Sequence, residues 1–212
     1  MKSLRKKKNT EGKERKPRSK KSKISIIALS LVAFISFLVL IWPYIPRLIY
    51  LITKPKISSE PYEQASKDGK LSDDIKNQKG NRLVLPQIGI NAEIIEGDNI
   101  NVIGKNQGVW RESPSVDPST PGNIVIAGHR FLYTATNGGY FYNLTDMKNG
   151  DKIYIKWKDK IYAYEIYNSK TVKPDQIEIR DADPDVPNKL TMYTCYPLGS
   201  TAERYVIEAK QL

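Results

Sequence analysis

Leu190-Thr191-Met192-Tyr193-Thr194-Cys195-Tyr196-Pro197 is the stretch around which the later part of the chain is organised. Its strand-forming side chains end on the one cysteine in the sequence. A second strand-like run begins at Arg204 and extends to Ala209. The connection between the two runs is short enough for a hairpin. The pattern therefore predicts Cys195 near the end of one strand and Arg204 near the start of its antiparallel neighbour, in a pair where facing residues have Cβ atoms roughly 4.5–5.5 Å apart.

The one histidine also follows a strand-like run: His129 comes directly after Asn123–Gly128. A thiolate can act as a nucleophile, an imidazole can move a proton, and a guanidinium can bind an oxyanion. Together these groups are sufficient for acyl transfer. Each residue also has an ordinary structural explanation, since a lone cysteine is usually a small buried side chain and a strand arginine is usually solvated. The residue types alone leave catalysis and packing both open.

Short strand-like runs separated by Pro, Gly and Asn-Gly recur over residues 81–212. The clearest pair alternates apolar and polar side chains over residues 153–157 and 162–166. About eight such strands without a long amphipathic helix predict an all-β sandwich or barrel with short helices. Residues 170–189 are rich in Pro and Asp and are expected to form a long loop with some local structure.

Charge is distributed unevenly along the chain. The formal net charge is +11, of which residues 1–23 carry +10 and the remainder only +1. The domain that follows is therefore nearly neutral, which argues against nucleic acid as its partner. A basic tail can bind nucleic acid or anionic lipid, or it can set the topology of a membrane segment.

The segment after the basic tail favours the last of these roles. Residues 24–42 contain no charged side chain, and as a helix they would be roughly 28 Å long, close to the ~30 Å hydrocarbon core of a bilayer. Pro43 and Pro46 discourage continuation of the helix. The positive-inside rule places the tail in the cytoplasm. A cleaved signal peptide is the alternative, but it would usually have a shorter apolar region and a small-residue cleavage site.

These patterns predict four parts. They are a basic cytoplasmic tail (1–23), a transmembrane anchor (24–46), a polar extracytoplasmic stalk (47–80) and a β-domain (81–212). Residues 54–80 are polar and lack an apolar period, so we expect a flexible segment there. The expected location is the cell membrane, with a single span and the β-domain outside.

The sequence contains no pattern for a cofactor or a metal. One cysteine and one histidine do not supply a usual zinc-binding set. There is no Gly-rich phosphate loop and no basic groove with interleaved aromatic residues. We therefore expect no cofactor, no metal and no nucleic acid.

The sequence resembles the sortase family over residues 81–212. Thr191-Met192-Tyr193-Thr194-Cys195 is similar to the TLxTC motif of that family, with Met192 in place of the usual Leu. Ile124–Arg130 is similar to the strand that carries the catalytic histidine, and Arg204 occupies the place of the catalytic arginine. Tyr196-Pro197 resembles the class D and class E sortases. The basic tail, anchor and stalk also suit a sortase with an N-terminal membrane anchor.

The resemblance implies an eight-stranded β-barrel that acts as a cysteine transpeptidase. Such enzymes cleave an LPxTG-like sorting signal between Thr and Gly. It implies that Cys195 forms a thioester with the Thr carbonyl, that His129 acts as general acid and base, and that Arg204 holds the substrate and the oxyanion. The partners would be surface proteins that carry sorting signals and an amine acceptor, either a cell-wall precursor or a pilin lysine. Regulation by Ca²⁺ does not follow, because the calcium-binding carboxylates of the family have no match here.

Two other functions remain open from the sequence. One is a membrane-anchored β-domain with a binding or structural role, in which Cys195 is inert. The other is a hydrolytic cysteine peptidase, in which water instead of an amine resolves the thioester.

Overall fold

The computed structural model describes residues 20–104, 108–130 and 141–212, and within them eight strands close into a barrel. This confirms the predicted eight-stranded fold with short helices. The strands are β1 (Arg82–Leu85), β2 (Ile90–Glu96), β3 (Val109–Arg111), β4 (Gly122–Ala127), β5 (Lys152–Trp157), β6 (Lys160–Val172), β7 (Asn188–Tyr196) and β8 (Glu203–Gln211).

The order of strands around the barrel is β1-β2-β3-β4-β7-β8-β6-β5. The pairs β2–β3 and β4–β7 are parallel, and the other neighbours run antiparallel. The parallel pair β4–β7 matters most for the site, because the carboxyl ends of both strands meet at the same edge of the barrel. The predicted hairpin of the last two strands is present as β7 and β8.

Alternation along the strands sends one set of side chains into the barrel. Ile124 and Ile126 of β4 and Met192 of β7 are at most 3% exposed within one continuous core. Burial of an aliphatic side chain of this kind contributes roughly 1.5–3 kcal/mol. The opposite set points outward and forms a second apolar cluster, which we call the outer cluster: Ile103, Trp110, Val125, Ala127, Val172, Ile179, Tyr193 and Val206.

Several single-turn helices connect the strands. The 3-10 helix Ile177–Arg180 lies within the β6–β7 connection and contributes Ile179 to the outer cluster. The loop predicted for residues 170–189 is therefore shorter than expected, since β6 continues to Val172 and β7 begins at Asn188. The other 3-10 helices that connect strands are Pro86–Ile88, Ile100–Ile103 and Leu144–Asp146.

The N-terminal part of the chain is helical. It contains α1 (Lys20–Ile41), the 3-10 helix Trp42–Tyr44 and α2 (Ile45–Thr53). The chain divides into two compact units, Met1–Leu48 and Ile49–Leu212. Over the described residues, no helix combines the length and apolar character needed to cross a membrane. The transmembrane anchor thus stays a prediction from sequence, and residues 1–19 of the basic tail lie outside the described residues.

The segment expected to be flexible instead contains two helices, α3 (Glu60–Asp68) and α4 (Asp73–Lys76). The expectation of an unstructured segment was therefore wrong for these residues. The segment buries Tyr62, Ala65, Leu71 and Ile75 against the outer face of β1, β5 and β6. Four apolar side chains among many polar ones give no clear period in the sequence, but they suffice to cover this face.

Aromatic and ionic contacts reinforce the docking of α3. The ring of Tyr62 stacks on that of Tyr154 with centroids 5.7 Å apart. Glu63 Oε1 accepts hydrogen bonds from Lys67 Nζ and Lys152 Nζ, both at 2.9 Å, and these two lysines lower the pKa of Glu63 to about 2. The helix ends at Gly69, whose φ of 72° is a left-handed conformation that glycine adopts without strain.

Candidate active site

The candidate site lies at the barrel edge where the parallel strands β4 and β7 end. Register pairs Ala127 with Tyr193 at the last paired position. Contact continues one residue further, because the Gly128 N–H donates to the Tyr193 carbonyl at 3.3 Å and the Thr194 hydroxyl donates to the Gly128 carbonyl at 2.7 Å. The two segments are therefore held side by side up to the residues before His129 and Cys195.

Gly128 is required at this edge for a steric reason. A Cβ at this position would lie 2.9 Å from a ring carbon of Phe141, a separation that real Cβ atoms essentially never show. The Phe141 N–H also donates to the His129 carbonyl at 2.8 Å. The absence of a side chain at Gly128 therefore lets Phe141 close over the barrel edge and hold the backbone of His129.

Cys195 and Arg204 are directly paired in the β7–β8 ladder, within the hairpin that the sequence predicted. Residues opposite each other in such a ladder have Cβ atoms roughly 4.5–5.5 Å apart. The thiol of Cys195 is free and partly exposed. Arg204 Nη1 donates to the carbonyls of Thr201 and Glu203 at 3.1 and 3.0 Å. These two bonds occupy one nitrogen of the guanidinium and hold the group at the entrance of the β7–β8 hairpin.

His129 follows Ala127 by two residues, and Cys195 follows Tyr193 by two residues. Neighbouring strands lie roughly 4.8 Å apart, so the parallel pairing of β4 and β7 brings the backbone segments that carry His129 and Cys195 to the same edge of the barrel. Burial lowers the pKa of His129 below its ordinary value of 6.5. The neutral imidazole, which can accept a proton, is therefore favoured.

Strand alternation places Cys195 and Arg204 on the same face of the sheet. Tyr193 and Val206 belong to the outer cluster, and they lie two residues from Cys195 and Arg204 respectively. Because side chains two residues apart in a strand share a face, Cys195 and Arg204 extend the outer face beyond these apolar residues. His129 lies two residues past the end of β4, so the structure pairs two of the three candidates and brings the segment of the third to the same barrel edge.

A second arginine at the site was not predicted. Arg130 lies with its guanidinium carbon 4.9 Å from the ring centroid of Tyr196. It also donates from Nη2 to the Thr145 hydroxyl at 3.4 Å. The one signal in the sequence was its position directly after His129, which does not distinguish it from a solvated loop arginine.

The β6–β7 connection is fastened to the outer face by a buried polar network that was also not predicted. Tyr193 donates its hydroxyl hydrogen to Glu112 Oε2 at 2.7 Å, and Arg180 Nη2 lies 2.9 Å from Glu112 Oε1. Asn123 Nδ2 donates to the carbonyls of Ile179 and Asp181, both at 3.1 Å. These partners are 56 to 81 positions apart, so no local pattern could have indicated them.

The arrangement can perform thiol-based acyl transfer. It offers a partly exposed thiol, a guanidinium on the residue paired with that cysteine, and an imidazole at the same barrel edge. Among the described residues, no group of three or more His, Cys, Asp or Glu side chains could hold a metal ion.

Comparison with known proteins agrees with this chemistry. Residues 83–212 match the family model of the Sortase domain. Sortase D of Bacillus subtilis (strain 168) is 25% identical over 173 residues, which cover 76% of this chain and 82% of that protein. Sortase A of Streptococcus agalactiae serotype III (strain NEM316) is 29% identical over 131 residues, which cover 60% of this chain and 51% of that protein. The chain thus spans about half the length of this Sortase A.

Solved structures with the same fold include sortases of other classes. Sortase C-1 from Actinomyces oris has a TM-score of 0.55 at 26% identity, over 62% of this chain and 72% of that chain. Sortase E1 from Streptomyces coelicolor, solved with a tripeptide in its active site, has a TM-score of 0.55 at 21% identity, over 64% of this chain and 88% of that chain. The second likeness concerns the fold alone.

Proposed function

This chain belongs to the sortase family of cysteine transpeptidases, and from that premise we propose that Cys195, His129 and Arg204 form its catalytic site. We further propose that it cleaves an LPxTG-like sorting signal between Thr and Gly and transfers the protein to an amine. The observation that carries the proposal is the direct pairing of Cys195 with Arg204 at the barrel edge where β4, the strand before His129, also ends.

In the first half of the proposed reaction, the Cys195 thiolate attacks the carbonyl carbon of the Thr in the sorting signal. The C–O π electrons move to the oxygen, and the Arg204 guanidinium stabilises the resulting oxyanion. The carbonyl re-forms as the Thr–Gly C–N bond breaks. His129, as imidazolium, gives its proton to the leaving Gly amine, which leaves a thioester between Cys195 and Thr.

In the second half, an amine replaces the departed Gly fragment. His129, now neutral, accepts a proton from the amine as its nitrogen attacks the thioester carbonyl. Collapse of the tetrahedral adduct breaks the C–S bond, forms the new amide and returns the Cys195 thiolate with imidazolium His129. The low pKa of His129 suits this step, because the imidazole must be neutral to accept the proton.

The proposed partners follow from this chemistry. The acyl donor is a surface protein with a C-terminal LPxTG-like signal, and the acceptor is a primary amine of a cell-wall precursor or a pilin lysine. Ala127, Tyr193 and Val206 are buried in the outer cluster next to the site, so they support the strand ends and are not themselves a surface for the peptide. Ile179 packs in the same cluster and keeps the β6–β7 connection beside the site.

The test measures cleavage of a fluorogenic LPxTG-containing peptide by the protein and by three variants. Cys195→Ala, His129→Ala and Arg204→Ala should each lower kcat/KM by at least about a hundredfold, since each removes a group that acts on the reacting atoms. Lys76→Ala, a change at an exposed residue of α4, is the matched control and should leave kcat/KM unchanged.

Two further measurements separate the alternatives. Mass spectrometry should detect an adduct on Cys195 that corresponds to the acyl portion of the peptide. Added amine, such as triglycine, should yield a ligated product in preference to the hydrolysed peptide. Equal turnover of the peptide by the protein and by Cys195→Ala would support the alternative of a β-domain in which Cys195 is inert. Hydrolysis without ligation at any amine concentration would indicate a peptidase.

The proposal extends to location: the chain is anchored in the cell membrane by residues 24–46, with the catalytic domain outside. The uncharged stretch 24–42 and the +10 balance of residues 1–23 support this topology. The protein should stay with the membrane after alkaline extraction, and protease added to intact protoplasts should digest its C-terminal domain. Recovery in the soluble fraction, or a mature N-terminus after residue 42, would contradict it.

A further inference from the structure

Each of the three candidate catalytic residues is followed directly in the sequence by a member of a second cluster. Arg130 follows His129, Tyr196 follows Cys195, and Tyr205 follows Arg204. We call Arg130, Tyr196 and Tyr205 the inner stack. Because successive side chains of a strand point to opposite faces, Tyr196 and Tyr205 lie on the other side of the sheet from Cys195 and Arg204. Tyr205 accordingly packs against the barrel core.

The inner stack connects the chain segments that carry the candidate residues. The guanidinium carbon of Arg130 lies 4.9 Å from the centroid of the Tyr196 ring. The Tyr196 ring in turn lies 6.0 Å from the Tyr205 ring at an interplanar angle of 36°. Both separations are within the range of attractive cation–π and aromatic contacts. The β7–β8 ladder joins the segments that carry Cys195 and Arg204. His129 and Arg130 lie past the last paired residue of β4. The contact of Arg130 with Tyr196 connects their segment to β7.

Arg130 is held in an environment that costs free energy. Its Nε and Nη1 are buried without a hydrogen-bond partner among the described residues, and the bond from Nη2 to Thr145 Oγ1 is long at 3.4 Å. Burial lowers the pKa of the Arg130 guanidinium. Buried donors in proteins are nearly always paired, so a partly paired guanidinium at this place indicates a role other than stability.

We propose that Arg130 is a positioning residue, whose guanidinium on the Tyr196 ring holds the imidazole of His129 and the thiol of Cys195 at the separation that proton transfer requires. The inference rests on the proposed function of these two residues. The relative position of these two groups affects the rate strongly, because a displacement of about 1 Å between reacting groups can lower the rate by on the order of a hundredfold.

The experiment compares Arg130→Met with Arg111→Met in the full chain. Arg111 is a matched control, because its guanidinium carbon also lies over an aromatic ring, that of Trp157 at 5.1 Å, on an element that does not carry the site. Three quantities are measured for each: kcat and KM on the peptide, the pH profile of Cys195 alkylation, and the NMR titration of His129. Since the chain has one cysteine and one histidine, the last two report on these residues alone.

Arg130→Met should lower kcat by at least about tenfold with KM within about twofold, and it should move the alkylation profile and the midpoint of the His129 titration. Arg130→Lys should recover part of kcat, because an ammonium can also lie over the ring but lacks the planar shape of guanidinium. Values for Arg130→Met equal to those for Arg111→Met in all three measurements would overturn the proposal.

A second pair of variants decides the matter if Arg130→Met does not fold. Tyr196→Phe retains the ring and should behave like the unaltered protein, whereas Tyr196→Leu removes it and should reproduce the loss of kcat. Equal kcat in these two variants, with the same alkylation profile, would also overturn the proposal. Alkylation and titration need no substrate, so they test the inner stack even if no peptide is cleaved and the proposed function fails.

Discussion

At the scale of single residues, His129 has the environment that most affects the proposed chemistry. Its imidazole is half-buried, and burial lowers its pKa from the ordinary value of 6.5. Desolvation acts in this direction because it disfavours the charged imidazolium. The folded protein therefore binds fewer protons at His129 than the unfolded chain does between the two pKa values.

We predict that the NMR titration of His129 in the folded protein has its midpoint below 6.5. The sign of the stability effect follows: the contribution of His129 is full above pH 6.5 and decreases as the pH falls toward the folded midpoint. The same titration in concentrated urea gives the reference and should return to the ordinary value. A folded midpoint at or above the urea midpoint would mean that the imidazole is solvated or paired with an anion.

At the scale of elements, the β6–β7 connection is held by side chains and not by a strand ladder. The Glu112 carboxylate is buried, and it joins Arg180 of the 3-10 helix Ile177–Arg180 to Tyr193 of β7. Asn123 also accepts a hydrogen bond from the Thr191 hydroxyl at 3.0 Å while its amide holds the connection. The element that contributes Ile179 to the outer cluster is thus fastened to β4 and β7.

Arg180→Met should loosen this element without disturbing the nucleophile. Loss of the Arg180 guanidinium leaves the buried Glu112 carboxylate with the Tyr193 hydroxyl as its hydrogen-bond donor. We expect the free energy of unfolding to fall by about 1–2 kcal/mol, a modest amount because Arg180 itself is well exposed. Hydrogen exchange of the amides of residues 177–181 should accelerate, and KM for the peptide should rise more than kcat falls. Arg180→Lys should have an intermediate effect. Unchanged exchange would show that the ion pair does not hold the connection.

The helices α3 and α4 are a second element whose packing can be tested. Ile75 is 1% exposed within the cluster that covers β1, β5 and β6. Ile75→Ala should lower the free energy of unfolding by about 2–4 kcal/mol, the usual cost of a cavity at a buried aliphatic residue. The neighbouring change Lys76→Ala should stay within about 0.5 kcal/mol. Denaturant melts compare the two, and equal stability would mean that the helices do not add to the core.

At the scale of the whole molecule, the closed barrel is reinforced by a buried ionic cluster across three strands. Glu208 of β8 accepts hydrogen bonds from Lys189 of β7 at 2.9 Å and from Lys170 and Asn168 of β6 at 3.0 and 2.8 Å. Lys189 and Glu208 are both 6% exposed. Burial by itself raises the pKa of Glu208, but the hydrogen bonds from these three residues outweigh it and hold the pKa below its ordinary value of 4.5.

The sign of the acid dependence follows from that depressed pKa. The contribution of Glu208 to stability is full above pH 4.5 and is lost as the pH falls through the folded pKa. Glu208→Gln should cost about 3 kcal/mol at neutral pH, because it leaves Lys189 buried without an anion. The difference between the two proteins should narrow in acid. Melts from pH 7 to pH 3 measure it, with the exposed Glu178→Gln as control; a difference independent of pH would contradict the assignment.

The sequence by itself determined most of the strands and named the candidate reactive residues. Strand alternation and turn residues are local patterns, and they predicted the β7–β8 hairpin that pairs Cys195 with Arg204. Because the chain has one cysteine and one histidine, Cys195 and His129 are its single candidates for a thiol nucleophile and an imidazole base. Local polarity also caused an error, since it suggested a flexible segment where α3 and α4 pack on the barrel.

Only the tertiary structure decided which residues lie side by side across long separations. The parallel pairing of β4 with β7 brings Gly128 to Thr194 across 66 positions, and with it His129 toward Cys195. The cation–π contact of Arg130 with Tyr196 and the hydrogen bond of Tyr193 to Glu112 likewise join distant segments. Periodicity indicates which face of a strand a side chain occupies. Its contacts on that face depend on strand order and barrel closure, which are set by the simultaneous burial of the faces of all the strands.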